Sequence, residues 1–345
     1  MIKSKRQFGV EIEFIAPNRK SYDSIRANHR VEFDGSLRPH RWGGEYVSVP
    51  LIGRAGENEI SSVCASLKKN KADVENKQTS IHVHLDGKKN EGKLRYSSKR
   101  LPDKRLMLGI SNKVRGKLPE GSILAILRGD FFAVDPTLNI THIDNVQYIS
   151  KGAITRHPRM NYRYYYYDKE DRLPWLRNMF YFYTQYTNVM NALVSRSRKV
   201  NNMYCIPLND SFLLEEIESI KTMDDFIDVW YKGNGIGGHY DDSRYHNVNF
   251  HSFFNRHGTV EIRSHGGTTD ANKILLWVRL HQHIADKLES MTLDQIKFEG
   301  DEFNSFLEFI SDDPLLVDYC KRLMGYLSGV TIRNKKAIIK DVVNQ

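Results

Sequence analysis

The pattern of apolar and polar positions changes character near residue 173. Ahead of it lie short stretches of period-two alternation. "FGVEIEF" (8–14) and "TSIHVHLDG" (79–87) alternate as strands do, the second ending in an Asp-Gly turn. "HRVEFDGSL" predicts a short strand running into another Asp-Gly turn. "GGEYVSVPL" predicts a third strand that Pro50 limits. Residues 57–70 read as a helix. Beyond residue 173 the spacing lengthens to three and four: Leu176, Met179, Tyr183, Met190, Leu193 and Val194 predict one long amphipathic helix over 174–198. "SFLLEEIESI" and "MDDFIDVWY" predict two short helices, and the glycine-rich "KGNGIGGHYDD" a loop. "YHNVNFHSFF" and "GTVEIRSHG" predict two strands joined by "NRHG". Asp270 is placed to N-cap a helix reaching about residue 290, and the last 45 residues read as helical throughout. The segment between the two halves lacks sustained periodicity, with short strands expected in "GSILAIL" and "NVQYIS".

Charge sharpens this division. Residues 87–172 hold 18 Lys and Arg against 9 Asp and Glu, so the whole excess of +9 resides in that segment. We therefore expect three segments: 1–86 and 173–345 as the two parts of one α+β domain, and 87–172 as a basic insertion. Forty per cent apolar residues over 345 positions suffice for a substantial core. No apolar run is long enough to span a bilayer, no signal-peptide core follows the basic start, and three widely separated cysteines (Cys64, Cys205, Cys320) offer no disulfide framework. A cytoplasmic protein is expected.

Three strands carry polar pairs at period two, which places both members on one face. They are Glu11 with Glu13, His82 with His84, and Glu261 with Arg263. Asp34 and Glu45 add acids beside turns near the first strand. Taken singly, Glu11 with Glu13 reads as a solvated face and Glu261 with Arg263 as a surface salt pair, and an HxH pair such as His82 with His84 is a metal site only in a minority of cases. Jointly they differ, because each is set among Val, Ile and Phe neighbours that favour burial, and buried acids need cations. Carboxylates with imidazole suit Mg²⁺ or Mn²⁺, and an arginine beside them suits a phosphate oxygen.

"FGVEIEF", "DGSL", "EYVSVPL", "SIHVHLD" and "TVEIRSHGGT", in this order, resemble the amidoligase family, carboxylate–amine ligases with the fold of glutamine synthetase and γ-glutamylcysteine ligase. "VSRSRKVNNMYCIPL" and "RYHNVNF" are similar to two further family segments. The resemblance spans residues 7–86 and roughly 174–283. It implies an antiparallel sheet shaped as a funnel, with helices on its outer face and with ATP and two or three Mg²⁺ on its inner face. It assigns Glu13, Asp34 and Glu45 to one metal and Glu11, His82 and Glu261 to a second. Arg263 is assigned to the transferred phosphoryl group, and Arg244 and Arg198 to phosphate or carboxylate binding. His84 is expected to support His82 near the cofactor. The implied reaction forms an amide through an acyl phosphate. The "KGNGIGGHY" loop is a candidate lid or a plain connector.

The basic insertion departs from the family pattern. It is compatible with nucleic acid, an acidic protein, an extended carboxylate substrate, or simply a charged surface. Two other classes share parts of the signature: a metal-dependent hydrolase or nuclease, and a non-catalytic binding protein on a ligase scaffold. No residue stands apart from the metal ligands as a general base, which disfavours the hydrolase.

Overall fold

The computed structural model describes residues 2–37, 40–87, 172–195, 198, 202–238, 240–256, 258–298 and 300–327, together with six short strands between residues 95 and 166. The chain divides into two compact units, Met1–Gly87 with Leu173–Gln345, and Lys88–Arg172.

In the first unit, strands β1 (Phe8–Ile15), β2 (Val31–Glu32), β3 (Gly43–Val47) and β4 (Ser80–Asp86) come from the N-terminal part. In the second unit, β5 (Arg95–Ser97) pairs with β10 (Tyr164–Tyr166), while β6 (Leu106–Met107), β7 (Ile123–Leu127), β8 (Asp130–Val134) and β9 (Ile140–His142) form a four-stranded sheet in chain order. The expected strand in "NVQYIS" lies outside the described residues. Two more strands of the first unit follow, β11 (Val248–Asn249) and β12 (Thr259–Gly266). The first unit's six strands take the order β11-β12-β4-β1-β3-β2, every neighbouring pair antiparallel. The protein is thus of the α+β class.

Period-two alternation decides which way the sheet faces. On one side Val10, Ile12 and Phe14 of β1, Ile81, Val83 and Leu85 of β4, and Val260 and Ile262 of β12 are buried. The helices Gly53–Lys69 and Ala271–Leu288 pack together, and the latter also lies against β4. Gly56 permits a close approach: a Cβ there would come within 2.8 Å of the Phe8 ring and 3.0 Å of Leu51. Phe180, Phe212, Phe226, Trp230 and Phe250 form an aromatic cluster, with ring centroids about 5 Å apart as edge-to-face and tilted pairs prefer. Asp270 caps the helix Ala271–Leu288 by accepting from the Asn272 and Lys273 amides.

Several elements differ from the sequence expectation. The predicted long helix is two, Leu173–Gln185 and Thr187–Ala192. Around the junction the Thr184 and Thr187 hydroxyls donate to the Phe180 and Tyr183 carbonyls four residues back, a pattern that bends helices. The first helix is also buried nearly all round rather than amphipathic. "YHNVNFHSFF" yields only the two-residue β11 before a π-turn, Ser252–Arg256. The C-terminal region is not one continuous helical run: Glu302–Phe309 and Pro314–Leu327 are separated by a break, and residues 328–345 lie outside the described part. The helix Arg19–Asn28 was not foreseen, because Ile25 is its sole buried residue. Its signal was Asn18, whose side chain accepts from the Ser21 amide.

Candidate metal centre

The face of the sheet opposite the core carries the polar pairs, and antiparallel register brings them together. Glu11 stands across from His82, Glu13 across from Glu45, and Glu261 across from His84. His82 is the hub. Its Nδ1 lies 3.0 Å from Glu11 Oε2, 3.3 Å from Glu261 Oε1 and 3.9 Å from Glu45 Oε1, and its Nε2 lies 3.9 Å from Glu13 Oε1. Two donor sets result: Glu11, His82 and Glu261, and Glu13, Glu45 and His82. Within each, one ligand atom per residue lies within 4.8 Å of the others.

His84 Nε2 lies 3.1 Å from Glu11 Oε1, and its Nδ1 shares a hydrogen bond with Thr259 Oγ1 at 3.0 Å. Arg263 donates to Glu261 Oε1 through Nη1 and to the Tyr204 carbonyl through Nε. Asp34 stands outside both donor sets. Its oxygens accept from the amide and hydroxyl of Ser36, although its charge bears on Glu13 and Glu45. Arg198 is buried, donates to the Thr79 carbonyl and feels the charge of Glu13. Arg244 lies between the Tyr240 and Tyr245 rings, 4.9 and 4.7 Å from their centroids, and donates to the Tyr245 hydroxyl. The Tyr245 ring meets that of Tyr204, whose carbonyl holds Arg263, so Arg244 borders the centre by way of two tyrosines.

Sequence reasoning missed three contributors. Ser80 donates to Glu13 Oε2 through both its amide and its hydroxyl, at 2.6 and 2.7 Å. Asn249 donates to Glu261 Oε2 at 2.6 Å, and Thr259 holds His84. Ser80 precedes His82 by two and so shares its face, a readable signal. Asn249 becomes visible only once the β11–β12 register is known. At the end of β12, Gly267 has no room for a side chain, since a Cβ would lie 1.7 Å from the Val74 carbonyl.

Electrostatics divide the acids. Burial raises the Glu45 carboxyl well above its ordinary value, and the charges of Glu11, Glu13, Asp34 and Glu261 add to this. Burial likewise raises Glu13, only partly offset by His82 and Ser80. For Glu11, burial is outweighed by His84 and His82, which together hold it well below the ordinary value. Glu261 is lowered because Arg263, His84 and His82 overcome burial and the opposing charge of Glu11. His84 is raised: burial alone would lower it, but Glu11 and Glu261 prevail. The Glu13–Glu45 side therefore holds more negative charge than the protein compensates. Hard oxygen donors with a single imidazole, on a face short of positive charge, fit divalent Mg²⁺ or Mn²⁺.

No curated protein and no solved structure matched the chain. Residues 169–285 match a family model described as "Putative amidoligase enzyme". The matched stretch contains Arg198, Arg244, Glu261 and Arg263, while Glu11, Glu13, Asp34, Glu45 and His82 lie ahead of it. Over that third of the chain the sequence is similar to the amidoligase family.

Proposed function

We propose that this protein is an ATP-dependent carboxylate–amine ligase that forms an amide through an acyl phosphate. The observation that carries the reading is the convergence of two carboxylate–imidazole sets and Arg263 on one sheet face, in a chain with an amidoligase match.

Glu11, His82 and Glu261 would hold one divalent cation, and Glu13 and Glu45, with Asp34 beside them, another. Such cations supply charge neutralisation for a triphosphate and its γ-phosphoryl group. Arg263 is steadied by Glu261 and the Tyr204 carbonyl, so its guanidinium is pre-aimed at a phosphoryl oxygen; burial opposes its charge, but Glu261, Glu11 and Glu13 keep it firmly protonated. Arg198, near Glu13, and Arg244, at the tyrosine border, are suited to phosphate or carboxylate oxygens. The substrate carboxylate oxygen attacks the γ-phosphorus and ADP leaves. The amine then attacks the acyl carbon and phosphate leaves. Exclusion of water during the second step is assigned to the glycine-rich loop, where Gly233 and Gly235 adopt φ of +76° and +68°.

ADP release measured with candidate acids and amines tests the reading: we expect release to require both substrates and Mg²⁺. ADP release that proceeds with water alone would replace the ligase with a hydrolase. Absence of any thermal shift with ATP and Mg²⁺ would argue for a non-catalytic scaffold.

A further inference from the structure

Ser80 contacts both donor sets, and its single hydroxyl proton constrains them. Its Oγ lies 2.7 Å from Glu13 Oε2 and 2.9 Å from His82 Nε2, and its amide donates to the same Glu13 oxygen at 2.6 Å. All three residues are buried. An ionised carboxylate only accepts hydrogen bonds, so with a cation on Glu13 the Ser80 proton must point to Glu13. The lone pairs of Oγ then face His82 Nε2, which must carry its own proton to make a bond. A metal-bound imidazole is neutral, so Nδ1 is left bare. That nitrogen is the one facing Glu11 Oε2 at 3.0 Å and Glu261 Oε1 at 3.3 Å.

We propose that Ser80 is a positioning residue that commits Nδ1 of His82 to the cation of Glu11 and Glu261 and ties that cation's imidazole ligand to Glu13. This inference rests on the metal reading above and deepens it. On distance alone His82 is open to both donor sets. The Ser80 bond removes Nε2 from ligation, so His82 serves one cation and the other is held by oxygen atoms alone. Through Oγ the two centres also share one hydrogen-bonded link, from Glu13 through Ser80 to His82.

The test uses the full chain, ¹⁵N-labelled at histidine and loaded with Mg²⁺. Long-range ¹H–¹⁵N correlation is expected to show the His82 proton on Nε2. A proton on Nδ1 overturns the proposal without any variant. With Mn²⁺ as probe, pulsed electron paramagnetic resonance is expected to detect one strong imidazole nitrogen coupling in the natural protein. In Ser80→Ala that coupling weakens or is lost, and Mn²⁺ affinity falls by about 10- to 100-fold, the usual range for a group that orients a ligand. Ser80→Thr, which keeps the hydroxyl, restores the coupling. An unchanged coupling and affinity in Ser80→Ala overturns the role of Ser80 while leaving the cation sites standing. Failure of the natural protein to bind Mn²⁺ overturns the metal reading and the proposal with it.

Discussion

The two faces of the six-stranded sheet are made by the same strands yet are held by opposite physics. On one, Val10, Ile12, Phe14, Val83 and Leu85 are buried at 0–1% exposure against the core. On the other, residues one position away in the same strands gather four glutamates around His82, with Arg263 on Glu261. The apolar face is self-sufficient, since burial of each side chain stabilises the fold independently of solutes. The polar face is left with charge that burial penalises, most clearly at Glu45. One face supplies stability, and the other consumes part of it to hold a reactive arrangement of charge.

The comparison breaks most visibly at the apolar face. Phe14→Ala removes a fully buried ring and is expected to cost about 3–5 kcal/mol, read as a lower urea midpoint of unfolding. Mg²⁺ should not rescue the lost packing, and any rise in midpoint with Mg²⁺ should match that of the natural protein. On the polar face the expectation reverses with the cation. Mg²⁺ at about 100 times its dissociation constant should stabilise the natural protein by about 2.7 kcal/mol. Glu45→Gln should stabilise the cation-free protein by on the order of 1 kcal/mol by removing a disfavoured charge, and should forfeit most of the Mg²⁺ increment. If Glu45→Gln lowers the cation-free midpoint, Glu45 is stabilising and the contrast between the faces fails.

Much of this contrast was legible along the chain. Period-two spacing put Glu11 with Glu13 and His82 with His84 on shared faces, and register then needed only to align strands that the pattern had already found. What stayed hidden depended on register or on local geometry. Asp34 reads as an equal partner of Glu13 and Glu45, yet the turn at Ser36 engages its oxygens. Asn249 and Thr259 touch the centre only because β11, β12 and β4 pair as they do. The break at Tyr186 was invisible because hydroxyl back-bonding by Thr184 and Thr187 leaves no trace in hydrophobic spacing.

A smaller effect sharpens the comparison through pH. Glu45 and Glu13 have carboxyls raised by burial, so the folded protein binds more protons than the unfolded chain. Their protonated forms are tolerated below the ordinary carboxylate value of 4.5, and stability is lost as pH rises through the raised folded values. His84, raised chiefly by Glu11 and Glu261 against burial, acts in the same direction above its ordinary 6.5. Glu11 and Glu261 are lowered, so their stabilisation is present above 4.5 and lost only in stronger acid. From about pH 5 upward the cation-free protein should therefore weaken with rising pH, measured by urea unfolding in chelator. Saturating Mg²⁺ should flatten or invert that slope, because ionised carboxylates are its ligands. Glu45→Gln should flatten it without any metal.

The smallest expected effect falls on Thr259, which belongs to the polar face but carries no charge. Its hydroxyl links His84 Nδ1 and Ser252 Oγ, each at 3.0 Å. Thr259→Val keeps the shape and removes both bonds, at a cost of about 1 kcal/mol in stability. The loss should be equal with and without Mg²⁺, since Thr259 holds His84 and not a carboxylate of either donor set. A variant whose loss appears only in the Mg²⁺-loaded protein would show that His84 orients Glu11 for the cation, extending the charged network one residue further along β12.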